Sequence, residues 1–80
     1  MSNSKIVKVF STTTCPWCTR AKDYLNQKGV KYEDIDVSQD REQAMAMIAK
    51  SGSQGVPQLW IGDDFVVGFD QERIDFLLDL

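Results

Sequence analysis

Histidine is absent from this 80-residue chain. Its absence excludes imidazole-based catalysis and the common histidine-containing zinc sites. Long apolar runs are missing too: nothing approaches the ~18–20 consecutive apolar residues of a membrane-spanning helix, so no membrane partner is expected. The opening Met1-Ser2-Asn3-Ser4-Lys5 has no apolar segment of the kind a secretion signal carries, and a cytoplasmic location is the expectation. Positive charge is in short supply, with nine Lys and Arg against twelve Asp and Glu, a net charge of −3 and a pI of about 4.7. A nucleic-acid partner is not expected of such a surface, because phosphate binding needs a basic face. What remains is ordinary for a folded globular protein, at 42% hydrophobic and 26% charged residues. The length has room for one domain, read as residues 1–80.

Cysteine is equally scarce, and here the scarcity is informative. A domain this small has a limited core and often needs a disulfide, a metal or a partner. The two cysteines, Cys15 and Cys18, are too close in sequence to tie distant parts of a fold together. A bridge between them closes a tiny loop and constrains little of the unfolded chain. The pair is better explained by chemistry, catalytic or metal-binding, than by stapling.

Hydrophobic periodicity alternates between two types along the chain. Lys5 to Phe10 is β-branched and aromatic and reads as a strand. Cys15 opens a helical pattern through Cys18, Ala21 and Leu25, with Pro16 in the first turn and Gly29 as its C′ residue. Val30 to Val37 reads as a second strand. Ser38 is the candidate N-cap of a second helix whose apolar stripe is Ala44, Met45, Ile48 and Ala49. Pro57 to Ile61 and Phe65 to Val67 read as two strands around a Gly62-Asp63-Asp64 hairpin, and Asp70 caps a last helix carrying Ile74, Leu77 and Leu78. The order β-α-β-α-β-β-α implies an α/β fold: a mixed four-stranded sheet, its first two strands parallel, flanked by three helices.

Cys15-Pro16-Trp17-Cys18 carries the chemistry. A C-x-x-C alone also occurs in zinc sites, but here it follows a first strand and opens a first helix, which is the redox context. Two cysteines without histidine make a poor structural zinc site, so no metal is expected. The thiolate is the nucleophile in disulfide exchange. At a helix N-terminus, unpaired N–H groups and the macrodipole favour that anion, which makes Cys15 the attacking thiol. Cys18, one turn further and pointing inward, is the resolving thiol. Pro16 removes one amide donor and stiffens the turn.

With these motifs in view, the sequence resembles the glutaredoxin family of the thioredoxin superfamily over essentially its whole length. The carriers are Val9 to Lys22 around the Cys-Pro-Trp-Cys motif, Val30 to Val37, Gly55 to Gly62, and Val67-Gly68-Phe69-Asp70. The resemblance implies a thioredoxin fold and thiol-disulfide oxidoreductase activity. It implies glutathione as co-substrate, disulfide-containing protein clients, no bound cofactor and a monomer. It makes Val56-Pro57 a cis pair beside Cys15, with the Val56 backbone free to pair with an incoming cysteine peptide. It places Asp70 and the amides of the last helix against the γ-glutamyl end of glutathione, with Asp70 one position early and Gln71 in the usual Asp position. Thr12 stands where many members carry Lys or Arg, and Gly55 where Thr is frequent.

The Gly68-Phe69 turn is also a feature of NrdH-type redoxins, which thioredoxin reductase reduces, so both reductants stay open. An iron–sulfur cluster carrier is a further class, one that proline after the first cysteine opposes in the family. Trp17 reads as an exposed rim residue and Phe69 as a groove wall or a core residue under the last helix. Arg20 and Lys22 read as a solvated helix face or an attraction for glutathione carboxylates, and Met45 and Met47 as packing, with only Met45 on the apolar stripe.

Overall fold

A computed structural model of the protein describes residues 6–79. The elements are β1 (Val7–Ser11), α1 (Pro16–Gln27), β2 (Glu33–Asp36), α2 (Arg41–Ser51), β3 (Gln58–Ile61), β4 (Asp64–Val67) and α3 (Gln71–Leu78). Their order is the one the periodicity implies. The sheet runs β2-β1-β3-β4, with β1 and β2 parallel and the other two pairs antiparallel.

The strand period of two sorts the core into two layers. Val7 and Val9 pair with Ile61 and Leu59 and point to one face. There they meet Ala21 and Leu25 of α1 and Ile74, Leu77 and Leu78 of α3. Phe10 points to the other face, where it packs with Ile35 of β2 and Met47 of α2. Trp60 packs on Phe10 with ring centroids 4.4 Å apart and planes tilted by 45°. Each such buried side chain contributes on the order of 1.5–3 kcal/mol. α1 and α3 therefore clamp one face and α2 covers the other.

Several local expectations are corrected. The first strand begins at Val7; Lys5 lies outside the described residues. The second strand is shorter than Val30 to Val37, because the N–H of Val30 is taken by the carbonyl of Leu25 at the end of α1. α2 is capped by Asp40, whose carboxylate accepts the N–H of Gln43 at 3.1 Å. Ser38 bonds instead to Asp36 through both its N–H and its hydroxyl. The buried methionine of α2 is Met47, 2% exposed, while Met45 is 62% exposed and Ile48 and Ala49 also face outward. The inward face of α2 runs through Gln43, Ala44, Met47 and Ser51, rotated from the stripe that the apolar residues suggest. The C′ glycine of α1 is as expected: Gly29 takes φ +70°, a region that favours glycine.

Candidate active site

β1 ends at Ser11, and the chain turns through Thr12–Thr14 into α1. This delivers Cys15 as the N-cap of α1, with extended backbone at φ −104° and ψ 107°. Its Sγ accepts the backbone N–H of Cys18 at 3.2 Å. A sulfur there takes the place of the usual capping oxygen and meets one of the helix's unpaired N–H donors. Pro16 is the first helical residue.

The second cysteine stands in a different environment. Cys18 is wholly buried, while Cys15 is half-buried, and both are free thiols. Burial pushes the Cys18 thiol up to about 11, helped by its hydrogen bond with the Cys15 thiol and by the charge of Cys15. The backbone of Thr12 and the charge of Lys22 act the other way.

Facing Cys15 across the site is the segment before β3. The Val56–Pro57 bond is cis, as the resemblance implies. The Cys15 thiol points to the carbonyl oxygen of Val56 at 3.9 Å. Pro57 is buried, and its carbonyl accepts the N–H of Gly68 at 2.7 Å, which ties this segment to the turn before α3. Gly68 has φ +90°, where a side chain would be strained. Trp17, Val56, Pro57, Gly68 and Phe69 line a groove of about 290 Å³. Trp17 forms its outer rim at 55% exposure, with the Arg20 guanidinium 4.8 Å from its ring centre. Phe69 joins both of its expected settings: it walls the groove and packs against the core beside Tyr24, ring centres 5.7 Å apart. Asp70 caps α3, its carboxylate accepting the N–H of Arg73 at 3.3 Å.

Two supports escape the sequence reading. Gln58 is a fully buried polar residue whose amide donates to the carbonyls of Ser53 (2.9 Å) and Gly55 (3.0 Å). It braces the loop that leads into Val56, and its signal was a lone amide inside a hydrophobic strand. Lys22, read as a solvated or glutathione-facing cation, is engaged with Asp34 at 3.1 Å. No group of three or more His, Cys, Asp or Glu positioned to hold a metal occurs among the described residues, and no described helix is long and apolar enough to cross a membrane.

Comparison with known proteins finds likeness to glutaredoxins in both sequence and fold. A sequence model described as Glutaredoxin matches residues 7–66. An uncharacterised glutaredoxin-like 8.6 kDa protein from the rubredoxin operon of Clostridium pasteurianum is 36% identical over 74 residues, covering 92% of this chain and 99% of that protein. The glutaredoxin-like NrdH-redoxin from Escherichia coli, which has a thioredoxin-like activity profile, superposes with a TM-score of 0.81 at 27% identity, covering 89% of this chain and 92% of the other. A buckwheat glutaredoxin in complex with glutathione superposes with a TM-score of 0.77 at 30% identity, covering 96% of this chain and 76% of the other.

Proposed function

The chain belongs to the glutaredoxin family of thiol-disulfide oxidoreductases, and from that membership we propose that it is a single-domain, glutathione-dependent dithiol oxidoreductase of the cytoplasm. The observation that carries the reading is the placing of the Cys15 sulfur at the head of α1, opposite the carbonyl of Val56, a residue that lines the groove.

In this reading the Cys15 thiolate attacks a sulfur of a client disulfide or of a glutathione mixed disulfide. The S–S bond breaks, and the departing sulfur leaves as a thiolate that takes up a proton. The helix N-terminus stabilises the attacking charge before the bond forms. The backbone of Val56 lies beside the Cys15 sulfur, where an extended cysteine peptide can add to it as a strand would. Trp17, Pro57 and Phe69 supply apolar walls that desolvate the exchanging sulfurs. The N-terminus of α3, with Asp70 and Gly68, is the proposed seat of the γ-glutamyl carboxylate and amine; the glutathione bound by the buckwheat relative supports that ligand class. With a protein client, Cys18 then attacks Cys15, frees the client thiol and leaves a Cys15–Cys18 disulfide for reduction. The sulfurs carry both electrons, so no bound cofactor is required.

A second reading has its own support. The Gly68-Phe69 turn and the likeness to NrdH-redoxin favour reduction by thioredoxin reductase in service of a client enzyme. The deciding experiment follows NADPH oxidation with a small mixed disulfide of glutathione, once with glutathione and glutathione reductase and once with thioredoxin reductase. Turnover in the first system alone supports the glutathione reading. Turnover in the second alone overturns it in favour of the NrdH-like one.

A further inference from the structure

Residues four apart on a helix share a face, so Lys22 stands one turn beyond Cys18 on α1. Its ammonium is not free to wander. Nζ lies 3.1 Å from Oδ2 of Asp34 on β2, and Oδ1 of Asp34 accepts the hydroxyl of Ser11 at 3.1 Å. Ser11 is the buried last residue of β1. By the strand period of two, Ser11 lies on the same face of the sheet as Val7 and Val9, the face that α1 covers.

We propose that Lys22 is a positioning residue for the resolving step, its ammonium one helical turn from Cys18 and held by an Asp34 seated on Ser11, so that it favours the thiolate that closes the Cys15–Cys18 disulfide. This rests on Cys18 being the resolving thiol. In that step Cys18 gives up its proton and its sulfur attacks Cys15 Sγ. The bond from Cys15 to the client sulfur breaks, and the client leaves as a thiolate that is protonated. Two electrons pass from the thiol pair to the client.

The buried Cys18 resists ionisation, and a charge that offsets the resistance acts directly on the rate. Before the reaction two charges act on it, the Cys15 thiolate and Lys22. Once Cys15 is tied up in the mixed disulfide its negative charge is gone, and Lys22 remains. The other charges on the elements around Cys18 are exposed or engaged elsewhere, Asp75 of α3 with the hydroxyl of Tyr24. On α1, Arg20 lies over Trp17 and Asp23 is exposed. On α3, which packs on the same face of the sheet, Asp70, Glu72 and Arg73 are exposed. On β2, Asp34 acts through Lys22, and Asp36 binds Ser38.

The test is stopped-flow reaction of the reduced full chain with dithiodipyridine, an uncharged disulfide that releases one absorbing thione at each exchange. The first release reports attack by Cys15, the second resolution by Cys18. A neighbouring opposite charge is worth about one pKa unit or more, or about a tenfold change in thiolate. A more basic thiolate recovers roughly threefold of that through its greater nucleophilicity. Lys22→Gln is therefore expected to slow the second release about threefold at neutral pH and to move its pH midpoint upward. The first release should change far less, and Lys22→Arg should restore the second. An unaltered second-phase pH profile in Lys22→Gln overturns the proposal, as does equal slowing of both phases, which a merely structural ion pair would give. A wild-type protein that releases a single thione overturns the resolving role of Cys18 itself, a failure distinct from that of Lys22.

Discussion

Cys18 donates its backbone N–H to the Sγ of Cys15 at 3.2 Å while its own thiol is wholly buried. The two sulfurs of one short motif therefore differ in both access and acidity. Iodoacetamide at neutral pH is expected to place one adduct per chain, on Cys15. Cys18 should react only when the protein is unfolded or the pH is alkaline, because burial, the largest cause, still pushes its thiol up after Cys15 is alkylated. Peptide mass mapping across a pH series reads both positions; equal labelling of the two at neutral pH would show that the burial is not maintained in solution.

The same asymmetry divides the two serine variants. Cys15→Ser removes the sulfur at the head of α1 and is expected to abolish exchange with every substrate. Cys18→Ser leaves that sulfur in place, and its hydroxyl is small enough for the buried site. Removal of glutathione from glutathionylated substrates, which needs one thiol, should persist in it, while reduction of client disulfides stalls at the mixed disulfide. Activity assays on the two substrate types decide the matter, and a Cys18→Ser protein as inactive as Cys15→Ser on both would exclude the one-thiol route.

Much of this site was legible because its parts are local in sequence. A proline and two cysteines at the head of a helical pattern place one sulfur at the helix start and the other a turn further in, with no tertiary information. The hairpin is equally local, through Gly62. Helix α2 was misread because its period is weak: Met45, Met47, Ile48 and Ala49 offer apolar residues on nearly every side, and the choice among them is made by Phe10 and Ile35, which are distant in sequence. Ser38 and Asp40 are both able to cap, and Asp36, two residues before Ser38, captures the serine first. Lys22 and Asp34 come together only through the parallel pairing of β1 with β2, a relation that no local pattern carries.

The correction at α2 has a direct thermodynamic consequence. Met47 fills the space between Phe10 and Ile35, whereas Met45 faces solvent. Met47→Ala removes buried side-chain volume and is expected to cost about 2–5 kcal/mol, a large part of the stability of so small a domain. Met45→Ala should change stability by no more than about 0.5 kcal/mol. Denaturant titration of the two variants measures the contrast; equal effects would mean that α2 docks through the stripe suggested by its apolar residues.

Tyr24 connects the groove to α3 and gives stability a pH dependence of definite sign. Its ring packs on Phe69, and its hydroxyl donates to the Asp75 carboxylate. That bond, reinforced by burial and by the charge of Asp75, raises the phenol above its ordinary value. The folded state thus holds this proton more tightly than the unfolded state does. The contribution is complete below the unfolded tyrosine value of about 10 and is lost as the pH rises through the folded one. Tyr24→Phe keeps the ring against Phe69 and removes the bond to a charged acceptor. At neutral pH it should lower stability by about 1 kcal/mol, since the pair is only partly shielded from water. For a domain of this size that corresponds to a melting temperature lower by about 4–8 °C. The difference from wild type should then shrink above pH ~10, because phenylalanine has no proton to lose. Titration of Cys18 is common to both proteins and cancels in the comparison. Thermal melts of the two from pH 7 to 11 test the argument, and a gap that stays constant into the alkaline range would mean that the Tyr24–Asp75 bond does not hold α3 to α1 in solution.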